Sequence, residues 1–241
     1  MTLSNYNISF SQIEKFLEEI NLFKNSGIKN INKVGVSKKF IHASIKENYN
    51  IIHKAGLDNF DYDFLLNDDS FFQFEFKQKK NIEIRYAYYQ NPSEFIGYDE
   101  FVRGILEADG EHKETIEETI EEIGDMFYEE YEQHLSELNF KSNYITFRYD
   151  SDFKNYNPQV HSVSHLHVGH DNTIRIPFKK FISPMTFVLF VIKQAYYLKW
   201  KDLIKNKSEL VENCLKNSIH GESTIVNEYW HELEEFELYI S

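Results

Sequence analysis

Four histidines fall within ten residues of a 241-residue chain: His161, His165, His167 and His170. Arg148 and Asp150 precede them and Arg175 follows. An imidazole titrates near pH 6.5 and can give or take a proton at neutral pH. An arginine offers a planar fork that grips phosphate or carboxylate in two places. The two types together suit binding and cleavage of a phosphodiester, or recognition of a nucleotide, with the guanidiniums stabilising charge on phosphoryl oxygens. His165, His167 and His161 are the candidate catalytic residues, and Arg148, Arg175 and Arg85 the candidate phosphate ligands. Asp150 and Glu83 are the supporting carboxylates.

Side-chain parity is what could bring them together. Successive residues of a strand face opposite ways. His161, His165 and His167 share one parity, while Leu166 and Val168 have the other. Glu83 with Arg85, Arg148 with Asp150, and Arg175 also lie opposite the apolar parity of their own segments. If those segments are neighbouring strands, one sheet face collects all eight groups. The plain alternative is a wet outer sheet face with charge-paired arginines, which is common on antiparallel sheets.

Metal binding is the other chemistry available here. His165 and His167 stand about 6.6 Å apart along a strand, and an H-x-H pair can hold a divalent metal in two places. His161 is about 13 Å away by the same rise, too far to converge unless the strand bends. His165-Leu-His167-Val-Gly-His170 resembles the H-x-H-x-D-H motif of metallo-β-lactamase-fold hydrolases, but Gly169 stands where that motif has aspartate. The leading expectation is therefore chemistry without a cofactor, with a divalent metal at His165 and His167 as the alternative.

The elements that must position these groups can be read from periodicity. Phe71 to Gln78 and Ile82 to Tyr89 alternate as a β-hairpin. Tyr144 to Asp150 reads as a strand with Ile145, Phe147 and Tyr149 inward. The histidine strand follows the Asn157-Pro158 loop, and Thr173 to Ile176 pairs back after an Asp171-Asn172 turn. Ser9 with Gln12 predicts a helix to Ile20 closed by Gly27, and Ser37 caps a second helix that stops at Gly56. Asp58 to Ser70 reads as a solvated acidic loop, with a carboxylate ion site as its sharper reading. A short helix spans about Ser93 to Leu106, and a long acid-coated one Thr115 to Leu138. Ser183-Pro184 starts an apolar helix to about Trp200. Helices near Ser208 to Asn217 and Ser223 to Phe236 close the chain, though Glu235 to Ile240 could be a strand. The expected fold is a single α+β domain over 1–241: an antiparallel sheet of four to five strands at about 70–177, with helices before it (about 1–60) and after it (about 183–241).

Composition bounds the rest. The net charge is −13, yet thirteen acids and one lysine between Glu107 and Glu137 carry nearly all of it. That makes overall acidity a weak argument against RNA or nucleotide binding elsewhere, and makes the 115–138 helix a candidate docking surface for a basic protein. One cysteine, Cys214, allows no internal disulfide and reads as a buried small apolar residue. No apolar run approaches the ~20 residues of a membrane span, so a cytoplasmic protein is expected. There is no glycine-rich phosphate loop, C-x-x-C or G-x-S-x-G. His231-Glu232-Leu233-Glu234-Glu235 lacks the second histidine of a zincin and reads as an exposed helix face.

Several stretches together resemble a bacterial family known as domain of unknown function 2290. They are Arg85-Tyr86-Ala87-Tyr88-Tyr89 with Pro92, Arg148-Tyr149-Asp150, His161 through Gly169, Arg175-Ile176-Pro177, and Ser183-Pro184 with the helix to Trp200. The resemblance implies a bacterial cytoplasmic protein associated with defence or toxin–antitoxin loci. Two functional expectations follow from the residues and this resemblance together. One is a metal-independent ribonuclease or phosphodiesterase. The other is a non-catalytic partner or ligand-sensing subunit that docks a basic protein through its acidic helix.

Overall fold

Alternating aromatic and polar residues build the central hairpin. In the computed structural model, β3 is Phe71–Gln78 and β4 is Ile82–Tyr89, paired antiparallel from Phe71↔Tyr89 to Gln78↔Ile82, as the sequence predicts. The structure describes residues 1–241 apart from 28, 30–34, 79–80, 109–118, 121, 142, 171–173, 220 and 226. Phe72, Phe74, Ile84, Tyr86 and Tyr88 share one face of the hairpin and are buried.

The chain divides into two compact units, Met1–Gln90 with Ile145–Ser241, and Asn91–Tyr144. In the first unit the hairpin sits inside a seven-stranded antiparallel sheet. Its further strands are β1 (Phe23–Ser26), β2 (Phe64–Leu66), β5 (Thr146–Ser151), β6 (Ser164–Val168) and β7 (Ile174–Pro177), ordered β1-β2-β3-β4-β5-β6-β7. The α+β class holds, and the expected four to five strands become seven. The additions β1 and β2 are too short to show alternation. Leu65 and Leu66 of β2 are buried, so the Asp58–Ser70 stretch is not a solvated loop. Asp63 pairs with Lys29 at 2.6 Å, and Asp61 accepts the Ser37 hydroxyl at 2.6 Å. Burial nonetheless pushes the Asp63 carboxyl up.

Helices cover one face of the sheet. α7 (Pro184–Ala195) begins as expected: Ser183 Oγ accepts the Thr186 N–H at 3.1 Å, and proline takes the first turn. Its Phe187, Val188, Val191 and Ile192 are sealed in the main core with Tyr86, Tyr149 and Leu166. Ser183→Ala should cost about 1 kcal/mol through loss of this buried cap, read as a lower urea midpoint with an unchanged slope.

Other helix boundaries move. α1 (Leu3–Ser11) starts about two turns earlier than predicted, because Thr2 caps it by accepting the Asn5 N–H. Ser9 then lies inside the helix and accepts the Met185 N–H. α2 (Ile13–Glu19) ends before Asn21 (φ 52°), not at Gly27. Ser37 does cap a helix, but Asn48 caps a new one, so α3 (Lys38–Lys46) and α4 (Tyr49–Asp58) replace one long helix. Gly56 lies within α4, where an added Cβ would come 2.5 Å from the Phe71 ring. After α7 the chain turns at Tyr196 into α8 (Tyr197–Asn206) and then α9 (Ser208–Ile219), from which Cys214 packs half-buried against the main core with its thiol pushed up by burial. The predicted last helix is instead β9 (Ser223–Thr224), paired with β8 (Lys180–Phe181), and two 3-10 turns, Asn227–Tyr229 and Glu232–Phe236.

The second unit holds α5 (Tyr98–Ala108) and α6 (Tyr128–Glu137). Val102 and Leu106 are buried there, and Tyr131 Oη donates to the Ile96 carbonyl at 2.9 Å. The acidic segment is not one helix. Gly124 adopts φ 52° and opens a turn before α6, a conformation that costs glycine little. Residues 115–118 and 121 of the expected docking helix lie outside the described residues. No helix among the described residues is long and apolar enough to cross a membrane.

Candidate functional site

Strand register delivers the convergence that parity suggested. Two rows of side chains cross β4 to β7. In one, Arg85 is opposite Asp150, which is opposite His165. In the next, Arg148 is opposite His167, which is opposite Arg175. These positions alternate with Tyr86, Tyr149 and Leu166, whose side chains fill the core on the other face.

Asp150 is the centre of the cluster. Arg85 Nε donates to its Oδ1 at 2.9 Å and Arg148 Nε to its Oδ2 at 2.6 Å. Burial pushes this carboxyl up, but the guanidiniums of Arg148 and Arg85 outweigh it and hold it below the usual range. Both arginines use Nε for this contact. Among the described residues their terminal nitrogens form no hydrogen bond, so each keeps donors for a ligand. Arg175 is exposed and has no carboxylate partner among the described residues.

The histidines are not on a wet face. His165 and His167 are only 3% and 2% exposed, and Asp150 7%. His165 Nδ1 lies 2.9 Å from the Ser162 carbonyl. A carbonyl only accepts, so Nδ1 carries the proton and Nε2 keeps its lone pair. His167 Nε2 stands 3.5 Å from Asp150 Oδ2, and its buried Nδ1 has no partner among the described residues. Burial, then the charge of Arg148 and the His165 ring, lowers the His167 pKa to about 4. His165 is also lowered, first by burial. Both rings are neutral at pH 7.

A regular strand would hold His161 about 13 Å from His165. β6 begins only at Ser164, and the chain before it curls into a bridge between Asn157 and His161. The His161 ring therefore comes 4.7 Å from His165, which is itself 4.7 Å from His167, each pair edge to face. His170 leaves this group and packs 5.3 Å from Tyr49. The turn at 171–172 and Thr173 lie outside the described residues.

Sequence reading missed what holds the curl. Glu234 is fully buried and accepts the Tyr156 hydroxyl at 2.9 Å, the Ser162 hydroxyl at 3.0 Å and the His231 N–H at 2.7 Å. It thus fixes the loop that carries His161 and the carbonyl that orients His165. His231 caps the following 3-10 turn, so this segment is not an exposed helix face. A buried carboxylate inside an acidic run leaves no sequence signal.

The three arginines, Asp150, His161, His165 and His167 line a cleft of about 500 Å3, with Glu75, Lys77, Glu83, Asp152 and Lys154 around them. That volume suits a small organic ligand or a short stretch of nucleic acid. Five cations face four carboxylates there, in a protein of net charge −13. Glu83, the second supporting carboxylate expected from the sequence, is an exposed wall residue.

A stability prediction follows from His167. Its folded pKa lies below the ordinary value near 6.5, so acid favours the unfolded chain, which binds the proton first. The contribution is fully present above pH 6.5 and is lost as pH falls toward 4. Unfolding in urea with EDTA should show about 2 kcal/mol lost between pH 7 and 5, and less than half that in His167→Gln.

A family model described as "Uncharacterized conserved protein (DUF2290)" matches residues 17–233. The chain belongs to this family. The match spans every residue that lines the cleft, and Glu234 lies just past its end. No curated protein matches this DUF2290 chain, and no solved structure does.

Proposed function

We propose that this DUF2290 protein is directed at phosphodiesters, with RNA and single-stranded DNA as its first candidates. The terminal nitrogens of Arg85 and Arg148, with Arg175, hold the phosphoryl group over the His165–His167 pair. The observation that carries this reading is the meeting of three arginines and two buried, neutral imidazoles in one cleft. Surface arginines paired only with carboxylates would need no such neighbours.

The chemistry available is phosphoryl transfer. In its metal-free form, His165 Nε2 accepts the proton of an attacking hydroxyl or water. The new O–P bond forms as the bond to the leaving oxygen breaks, and solvent protonates that oxygen. The guanidiniums stabilise the charge that develops on the phosphoryl oxygens. Defence or toxin–antitoxin membership, which the family resemblance suggests, is compatible with such an activity.

Cleavage of labelled RNA and single-stranded DNA, with and without EDTA, tests the proposal. Arg148→Ala and Arg175→Ala should each reduce cleavage, and raising the salt should weaken binding of the same substrates. Absence of both cleavage and binding would sink the phosphodiester reading. It would turn attention to the acidic segment and a basic protein partner.

A further inference from the structure

We infer that Asp150, His165 and His167 form a binding site for one zinc-class divalent cation. The three are buried, and one ligand atom from each lies within 4.8 Å of the others. Two strands create this arrangement: β6 presents His165 and His167 on the same side, and β5 sets Asp150 directly opposite His165. Two imidazoles and one carboxylate are the donor set of many catalytic zinc centres, which leave a coordination position open.

A second observation points to a ligand. His167 is 2% exposed, yet its Nδ1 has no partner among the described residues and its Nε2 stands 3.5 Å from Asp150 Oδ2, long for a hydrogen bond. His167 can give one nitrogen to a cation: through Nε2 the ion replaces the long contact to Asp150, and through Nδ1 it partners the unmatched atom.

The surrounding contacts are those that orient metal ligands. His165 is anchored through Nδ1 to the Ser162 carbonyl, which leaves Nε2 for the cation. The arginines fix both oxygens of Asp150, each of which retains a lone pair. Donor atoms around tetrahedral zinc stand roughly 3.4 Å apart for bonds of about 2.0–2.1 Å. Seating the ion therefore needs a closure of up to ~1.4 Å from the 4.8 Å spread, which small side-chain rotations supply.

The cation would add positive charge beside three arginines, so it favours an anion in its open position. That it meets a phosphoryl oxygen there rests on the phosphodiester reading; the ion site itself does not. Occupancy uses the His165 lone pair that the metal-free scheme assigns to proton transfer, which makes the two schemes separable.

The test uses the full-length chain without a histidine tag, stripped with EDTA and dialysed. Titration calorimetry with zinc chloride alone should find one ion per chain, and zinc should raise the melting temperature. Asp150→Asn and His165→Gln should each weaken binding by 10-fold or more, with circular dichroism unchanged. His165→Ala is the second variant should the glutamine fail to fold. No stoichiometric zinc on the wild-type chain would overturn the site, as would equal binding by the variants. Cleavage that resists EDTA alongside absent zinc binding would overturn the site and leave the phosphodiester reading standing. Zinc binding with neither cleavage nor binding of RNA and single-stranded DNA would do the reverse.

Discussion

Asp150→Ala is expected to destabilise the protein by about 3 kcal/mol and to abolish function at the cleft. The carboxylate is 7% exposed and is the shared acceptor of two guanidiniums. Removing one partner of a fully buried pair costs about 3–5 kcal/mol, because the opposite charge is left without compensation. An exposed pair is worth only about 0–1 kcal/mol. Arg85 has a side chain 63% exposed and can turn to water, whereas Arg148 is 33% exposed and cannot do so freely. The estimate therefore lies toward the lower end of the buried range. Three arginines would then share one cleft without their central anion, which adds repulsion. Asp150→Asn should cost less, since one oxygen still accepts, but its amide must face a guanidinium. Urea unfolding of the three proteins at pH 7 measures this. A loss below about 1 kcal/mol for alanine would mean that Arg85 and Arg148 are not held by Asp150 in solution.

His165→Ala should lower phosphodiester cleavage by roughly 10²–10⁴-fold, the usual worth of a positioned proton acceptor. Stability should fall much less than activity. The ring contacts two other imidazoles and one carbonyl, and it is not part of the main hydrophobic core. His161→Ala should have a smaller effect, because His161 is half-buried and reaches the cleft only beside His165. A comparable loss in both variants would move His161 into the chemistry. Arg148→Lys separates charge from geometry: lysine keeps the cation but loses the fork that reaches Asp150 and a phosphoryl group together. Single-turnover cleavage with each variant in excess over substrate would isolate the chemical step. Full activity in His165→Ala would remove the catalytic reading of this cleft.

Local patterns in the chain were enough for the elements that matter most to the site. Period-two alternation in 71–89 specified β3 and β4 residue for residue, and the Ser183-Pro184 pair specified the start of α7. Parity placed Arg85, Arg148, Asp150, His165, His167 and Arg175 opposite the core, because the alternation of side chains is a property of the strand alone. What parity lacks is register. A shift of two residues between β5 and β6 would keep every side chain on its face and still separate Asp150 from His165.

Long-range packing set that register, the burial of the histidine pair, and the approach of His161. Each depends on contacts between residues far apart in the chain. The curl at 157–163 is held by Glu234, more than seventy residues away, through hydrogen bonds to Tyr156 and Ser162. Burial of Asp150 depends on two arginines from different strands that lie against it. The helix ends that moved, at Thr2, Asn48 and Gly124, were set by caps and turns whose alternatives are nearly equal in energy locally. Backbone periodicity alone thus settled which side chains of β4 to β7 face the cleft. The fold decided how close they come and how dry they are, since distance and desolvation are set by packing between segments that no local pattern connects.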